Sequence, residues 1–271
     1  MIKIYDCFLF NGENLVLEIR LNQLSKFIDY FIIVEFGETH SGIKKKSSIN
    51  KNIIKKFKDK IRYFYIDEKL PTQNSWERES YQRNQISKGL FDANDDDLII
   101  ISDLDEIPNL EKINLDVIDN YVYAFSQLHS MYKINLYRNI KWIGSKMCKK
   151  RILSEPQWLR ALKVHKRYRL LRIDKLFDKT YYSKFKIIEN GGWHLGWLMK
   201  SSEIKKKLSA YAHTEHNNKK YNNINYINNC ILKKISFLDP NDALSIDVNL
   251  VNIPSYVKKN LNNYKEWILK K

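Results

Sequence analysis

Cysteine is scarce in this chain. Cys7, Cys148 and Cys230 are odd in number, far apart and never in a Cys-x-x-Cys pair. That speaks against a disulfide framework or a zinc site and fits a reducing compartment. Glycine and proline are also sparse, at 8 and 5 residues, which excludes collagen-like and low-complexity classes. Long apolar runs are missing. Stretches such as 30–34 and 98–101 fall far short of the roughly 20 residues that a membrane span needs. Asp6 and Glu13 interrupt the opening residues, so no apolar signal region is expected and the folded domain is expected to begin at once. Acid is in deficit too: 47 Lys and Arg face 31 Asp and Glu, a net charge of +16.

What is present is globular, 44% hydrophobic and 13% aromatic over 271 residues, enough for a sizeable core. Much of the charge is local. Residues 141–175 hold twelve Lys and Arg against only Glu155 and Asp174, with Trp142, Trp158 and Tyr168 interleaved. A field of that sign attracts nucleic acid, anionic membrane or a phosphorylated substrate, and composition leaves the three open.

The first hundred residues alternate between two periodicities. Strands are predicted over 2–10, 30–34, 62–66 and 97–102, and helices over 18–27, 51–58 and 76–91. Such alternation implies crossover connections and a mainly parallel sheet. Beyond Pro108 the pattern blurs: strands at 121–128 and 131–136, a tight aromatic loop at 191–197, a helix at 203–211, a polar stretch at 217–229, and an amphipathic helix at 256–271. The reading is one α/β domain spanning residues 1–271.

Its most informative segment is 95–108, where an apolar strand runs into carboxylates. With a period of two, Asp103 and Asp105 project to one side and Leu104 to the other. Carboxyl ends of parallel strands are where open α/β sheets bind ligands. Like charges so close call for a cation between them, and a hard divalent ion held by carboxylates and substrate phosphates fits. It would stabilise charge on a departing diphosphate. A solvated turn is the bland alternative, and a phosphatase or phosphotransferase built on paired aspartates stays open at this point.

Several segments together resemble glycosyltransferase family 17, the family of β-1,4-mannosyl-glycoprotein 4-β-N-acetylglucosaminyltransferases. They are Tyr5-Asp6-Cys7-Phe8-Leu9-Phe10-Asn11, Leu17-Glu18-Ile19-Arg20-Leu21, Asp29-Tyr30-Phe31-Ile32-Ile33-Val34-Glu35 and Ser41-Gly42. Trp76-Glu77-Arg78-Glu79, Gln82-Arg83-Asn84, residues 102–108, Gly191-Gly192-Trp193-His194 and Tyr256-Val257-Lys258-Lys259-Asn260 continue the match. The resemblance implies a GT-A type fold, a Rossmann-like mainly parallel sheet flanked by helices, with a C-terminal helical extension. Residues 1–108 would form the nucleotide-binding half, and 109–271 the acceptor half with the C-terminal helices. It also implies UDP-N-acetylglucosamine as donor, Mn²⁺ or Mg²⁺ as cofactor, a glycan acceptor and inversion at the anomeric carbon. The match is weaker over about 109–189. The membrane anchor of the animal members is not expected here, so the expected location is cytoplasmic, peripheral at a membrane if the basic tract and final helix meet anionic lipid. A lipid-linked or phosphorylated glycan would then suit as acceptor.

By this resemblance Asp105 binds the metal and Asp103 the ribose or metal, while Arg83 and Asn84 face the nucleotide. Glu106 reads as support for the aspartate pair. Glu35 ends the second strand, where GT-A proteins often contact the nucleotide, or is an exposed strand-end acid; Phe8, Phe10 and Asn11 end the first and would line the uridine pocket, or merely the core. His194 offers an imidazole to the same metal, and Trp193 and Trp197 offer faces to a sugar ring; the alternative is a tight turn packed on aromatic core with a structural histidine. The glycines at 191, 192 and 196 would let a ligand approach the backbone. Glu203, at a helix start, is the candidate general base by analogy with other inverting GT-A enzymes; the plain alternative is an acid on the helix dipole. His213, Glu215 and His216 form another acid and imidazole group. Two rival functions are kept: a basic module binding RNA or anionic glycan over a degenerate site, and a Mg²⁺ phosphotransferase. The acidic strand end argues against nucleic acid as the partner.

Overall fold

The computed structural model describes residues 2–39, 42–68, 72, 74–164, 184–210 and 221–270, with the side chains of 209 and 210 excepted. The basic tract beyond residue 164, including Tyr168, lies outside the described residues, as do Ser41, the start of the polar stretch at 217–229, and the group His213, Glu215 and His216.

Four parallel strands open the sheet: β1 (Ile4–Phe10), β2 (Tyr30–Phe36), β3 (Ile61–Ile66) and β4 (Leu98–Ile101), in the order β3-β2-β1-β4. β1, β2 and β4 are near-continuous apolar runs because both of their faces are covered. Alternate residues feed two cores. Ile4, Phe8, Phe10, Phe31, Ile33, Leu98 and Ile100 pack on one face. Tyr5, Cys7, Ile32, Val34, Ile99 and Ile101 pack on the other.

The crossovers are α1 (Asn14–Leu24), α2 (Lys51–Lys56) and α3 (Ser75–Asn84). Asn50 and Asn74 cap α2 and α3 by accepting from backbone N–H groups two residues on. The helix expected to reach residue 91 ends at Asn84 and tightens into a 3₁₀ turn over Gln85–Gly89.

Past β5 (Glu106–Pro108) the sheet continues with β6 (Val122–Met131) and β7 (Leu136–Lys149). After α4 (Pro156–Ala161) come β8 (Phe185–Ile188) and β9 (Gly192–Gly196), completing the path β4-β7-β6-β9-β5 with β8 beside β6. The β4–β7, β6–β7 and β5–β9 pairings are antiparallel, so the mainly parallel character belongs to the first half and the whole sheet is mixed. One sheet therefore runs through both halves of the chain. α5 (Ser201–Ala210), α6 (Ile224–Lys233) and β10 (Leu244–Ile246) cover a third core of Met131, Leu136, Ile204, Leu208, Ile227 and Phe237.

Three expectations change. The strand at 131–136 is a turn, with Tyr132 at φ 65°. The aromatic loop at 191–197 is largely β9, an interior strand. The final helix is divided between α7 (Ser255–Lys259) and a 3₁₀ segment, Leu261–Trp267, although Val257 and Tyr264 are buried as its amphipathy predicts. Among the described residues no helix is long and apolar enough to cross a membrane.

Candidate active site

At the carboxyl end of β4 the chain turns through Ser102, Asp103, Leu104 and Asp105 into β5. The fully buried Arg20 of α1 holds this turn. Its Nη1 donates to the carbonyls of Asp103, Leu104 and Glu106 at 2.9, 3.1 and 2.9 Å. Nη2 donates to Ser102 Oγ and, with Nε, to both oxygens of the buried Asp6 on β1. The guanidinium lies over the Phe8 ring, 4.5 Å from its centroid. One planar cation thus ties helix, strand and acidic turn together through bidentate and carbonyl bonds.

The two aspartates have different surroundings. Asp103 accepts from Arg83 Nη2 at 2.8 Å on one oxygen and from Arg160 Nη2 at 2.7 Å on the other. Burial pushes its carboxyl up, but Arg160 and Arg83 outweigh that and hold it well below the usual carboxylate range. Arg160 also reaches Glu106 Oε1 at 3.0 Å, and Trp142 Nε1 donates to the same oxygen at 2.6 Å. Gly144 leaves space for that carboxylate, since a Cβ there would run into it.

Among the described residues no guanidinium engages Asp105. Its Oδ1 is 3.6 Å from His194 Nε2, and its Oδ2 is 3.9 Å from Lys207 Nζ. Burial raises this carboxyl while His194 and Lys207 lower it, for a net value of about 2. Lys207, on α5, pairs with Glu13 at 3.1 Å and lies over the Trp197 ring.

Strand register brings the imidazole here. Glu106 of β5 and His129 of β6 flank His194 of β9. The two histidine rings stack at 4.1 Å, and the Trp142 ring is 4.8 Å from His194. Burial, with His194 and Arg138 nearby, lowers His129 to about 2, so it is neutral in the folded chain. His194 Nδ1 is buried without a partner among the described residues, so its Nε2 faces Asp105 with no bond fixing the tautomer.

A cleft of about 380 Å³ gathers these groups. Asn11 and Glu13 from just after β1, Trp76, Glu79 and Arg83 from α3, and Met131, Trp142, Trp197, Met199 and Leu238 line it together with Asp103 and Asp105.

Of the predicted residues, Asp103, Asp105, His194, Arg83, Asn11 and Trp197 meet in this cleft. Phe10, with Asn11, lines a small adjoining cavity beside Gln82. Others do not meet it. Glu203 bonds back to the Lys200 N–H at 2.9 Å, capping its own helix, and is absent from the cleft lining. Glu35 is fully buried and accepts from Lys45, Ser47, Ser48 and Tyr63, fixing the loop after β2. Burial raises its carboxyl, and those bonds, Lys45 foremost, bring it below the ordinary value. Asn84 joins α3 to α4 through Glu155 and the Gln157 N–H. Phe8 is core, and buried Trp193 donates to the Asn252 carbonyl. The glycines serve strand packing: a Cβ on Gly191 would meet Ile188 O at 2.5 Å, and one on Gly192 would meet Ile107 O.

Arg20, Trp142, Arg160, Lys207 and His129 were not among the predicted site residues. Arg20 alone left a legible signal, a cation inside an apolar helical stripe. Arg160 and Trp142 sit in the basic tract, whose described part is mixed, with Lys141, Arg151 and Lys163 exposed. Lys149 and Arg151 pair with Asp96, and Lys146 is buried.

The profile of glycosyltransferase family 17 matches residues 1–269. The chain belongs to that family. Membership makes it a transferase of sugars and gives the cleft a reaction class. No curated protein matches this family-17 chain at a significant level. Among solved structures it is similar to the inositol-1-phosphate CTP transferase from T. maritima, at 8% identity over 69% of this chain and 85% of that one, TM-score 0.36. It is also similar to a glycosyltransferase involved in glycosylation of the major capsid of PBCV-1, at 9% identity over 69% and 81%, TM-score 0.33. Likeness at that level assigns no residue of this chain.

Proposed function

We propose that this family-17 chain is a metal-dependent, inverting glycosyltransferase that moves N-acetylglucosamine from UDP-N-acetylglucosamine to a hydroxyl of a glycan acceptor, with β linkage. The observation that carries the proposal is the asymmetry of the acidic turn. Arg20 fixes its backbone, two arginines occupy Asp103, and Asp105 faces the cleft beside His194.

Mn²⁺ or Mg²⁺ suits this donor set. Among the described residues no three His, Cys, Asp or Glu side chains converge, and such ions are commonly held by one or two carboxylates plus substrate phosphates. Asp105 would hold the ion, with His194 Nε2 as a second donor; Asp103 is engaged by Arg83 and Arg160. When bound, the ion neutralises the diphosphate and stabilises the charge it gains on leaving.

The chain's own residues do the rest. Arg83 and Arg160 keep Asp103 ionised and stiffen the turn. Trp142 and Trp197 offer apolar faces to sugar rings. In the transfer, the acceptor oxygen forms a bond to the anomeric carbon from the face opposite the diphosphate. The carbon–oxygen bond to the diphosphate breaks with its electron pair, and the acceptor proton passes to a carboxylate. With Glu203 at its own helix end, Glu13 and Glu79, each paired to a single cation, are the cleft carboxylates left for that role among the described residues.

Titration calorimetry of UDP and UDP-N-acetylglucosamine, with Mn²⁺, with Mg²⁺ and with chelator, tests the reading on wild type and Asp105→Ala. Metal-dependent UDP binding that falls at least tenfold in the variant is expected. Absence of UDP binding under every condition would discard the donor assignment, and oligonucleotides would be titrated next.

A further inference from the structure

Helix α3 is inverted for a helix lying on a sheet. Its buried residues are Gln82 and Arg83, whereas Trp76 is 51% exposed. Packed helices normally bury the apolar stripe and expose the polar one. All six tryptophans of the chain are described, and Trp76 alone is exposed. Its exposure is toward function, because Trp76 lines the cleft together with Asn11, Glu79 and Arg83.

The helix that carries this indole is firmly placed. Asn74 caps it, Arg78 pairs with Glu38 at 3.3 Å, Gln82 donates to the Glu38 carbonyl at 3.1 Å, and Arg83 holds Asp103. Seven residues separate Trp76 from Arg83, two turns or about 10 Å along the axis. That is the length scale of a nucleoside with its phosphates. In the same cleft, just after β1, Asn11 makes no side-chain hydrogen bond to another described residue. A free carboxamide both donates and accepts, as the polar edge of a nucleobase requires.

We propose that Trp76 is the platform on which the donor's nucleobase stacks, with the Asn11 carboxamide on the polar edge of that base. The inference rests on the nucleotide-sugar reading above and assigns it a base subsite at the α3–β1 side of the cleft. The phosphates then run along α3 toward Asp105, and the sugar meets the side lined by Trp142 and Trp197. Stacking on an aromatic side chain is worth about 1–3 kcal/mol per base, a factor of roughly 5 to 150 in affinity.

The test measures UDP and inorganic diphosphate binding, both with Mn²⁺, to wild type, Trp76→Ala and Trp76→Phe by calorimetry and tryptophan fluorescence. Trp76→Ala is expected to weaken UDP about tenfold or more and to leave diphosphate unchanged. Trp76→Phe is expected to keep most of the UDP affinity while losing the UDP-induced quenching. Asn11→Ala is expected to weaken UDP without affecting diphosphate. UDP affinity unchanged in Trp76→Ala, with wild type binding UDP, overturns the platform and leaves the transferase reading intact. An equal loss of UDP and diphosphate also overturns it, because the substitution then harms the whole site. Failure of wild type to bind UDP at all overturns the nucleotide reading, and the subsite with it.

Discussion

Arg20 shows how much one side chain can organise. It is fully buried, its charge is balanced by Asp6, and it bonds three carbonyls of the acidic turn. Removing one member of such a pair strands the other as a buried charge, at a cost of about 3–5 kcal/mol. Arg20→Met should therefore lose that much stability in urea denaturation, and Asp6→Asn in the same chain should restore part of it. Arg20→Lys keeps the charge but not the fork, so it should fold better than Arg20→Met while binding UDP with Mn²⁺ less tightly than wild type. Position in the sequence told little about Glu203 and Glu35. An acid at a helix start and an acid at a strand end are equally suited to a ligand or to nearby backbone and hydroxyls. Here the nearby groups won, because they lie within hydrogen-bond reach and the cleft does not.

At the scale of elements, β9 decides the site. A strand inserted between β6 and β5 sets His194 against His129 on one side and Glu106 on the other. Gly192 makes the insertion possible, with φ at 130° and a Cβ position already filled by Ile107 O. Gly192→Ala should destabilise the chain by more than about 1 kcal/mol, seen as a lower melting temperature, because the backbone there cannot relax for a side chain. The same variant should weaken Mn²⁺-dependent UDP binding through the displaced His194. The segment read as a loop because three glycines in six residues erase the period-two signal. Strands β1, β2 and β4 were legible instead as continuous apolar runs, and α1 by its helical spacing. The β6–β7 hairpin was blurred because its inward side chains include Ser126, Gln127, Ser130 and Ser145, polar residues that face other polar groups.

For the molecule as a whole, the surprise is where the positive charge goes. Lys146 is buried and donates to the Arg160 carbonyl, and the partly buried Arg160 reaches Asp103 of the acidic turn. Burial, with the Arg160 charge beside it, lowers the Lys146 ammonium to about 7. Between pH 7 and the ordinary lysine range near 10.4 the unfolded chain then holds one more proton than the folded one at this position. Stability contributed by this site rises with pH across that window and is lowest below pH 7. The unfolding free energy of wild type relative to Lys146→Met should accordingly increase from pH 7 to pH 10, measured by urea denaturation at each pH. A pH-independent difference would mean that the lysine stays charged in the fold.

Local chemistry was enough for much of this protein. Hydrophobic period and length placed the parallel strands, and the run of carboxylates after β4 marked the turn on which Arg20, Arg83 and Arg160 converge, since burying such a cluster without partners is too costly to be accidental. Ordered motifs along the chain pointed to the family. Partnership was a different matter. Which aspartate takes the arginines, and how the turn is held, depend on Arg83, Arg160 and Arg20, which come from 20 to 83 residues away. A hydrogen bond is settled within an ångström, and one-dimensional spacing carries no such information once the chain has folded back through the sheet. Only the packed sheet could assign those bonds.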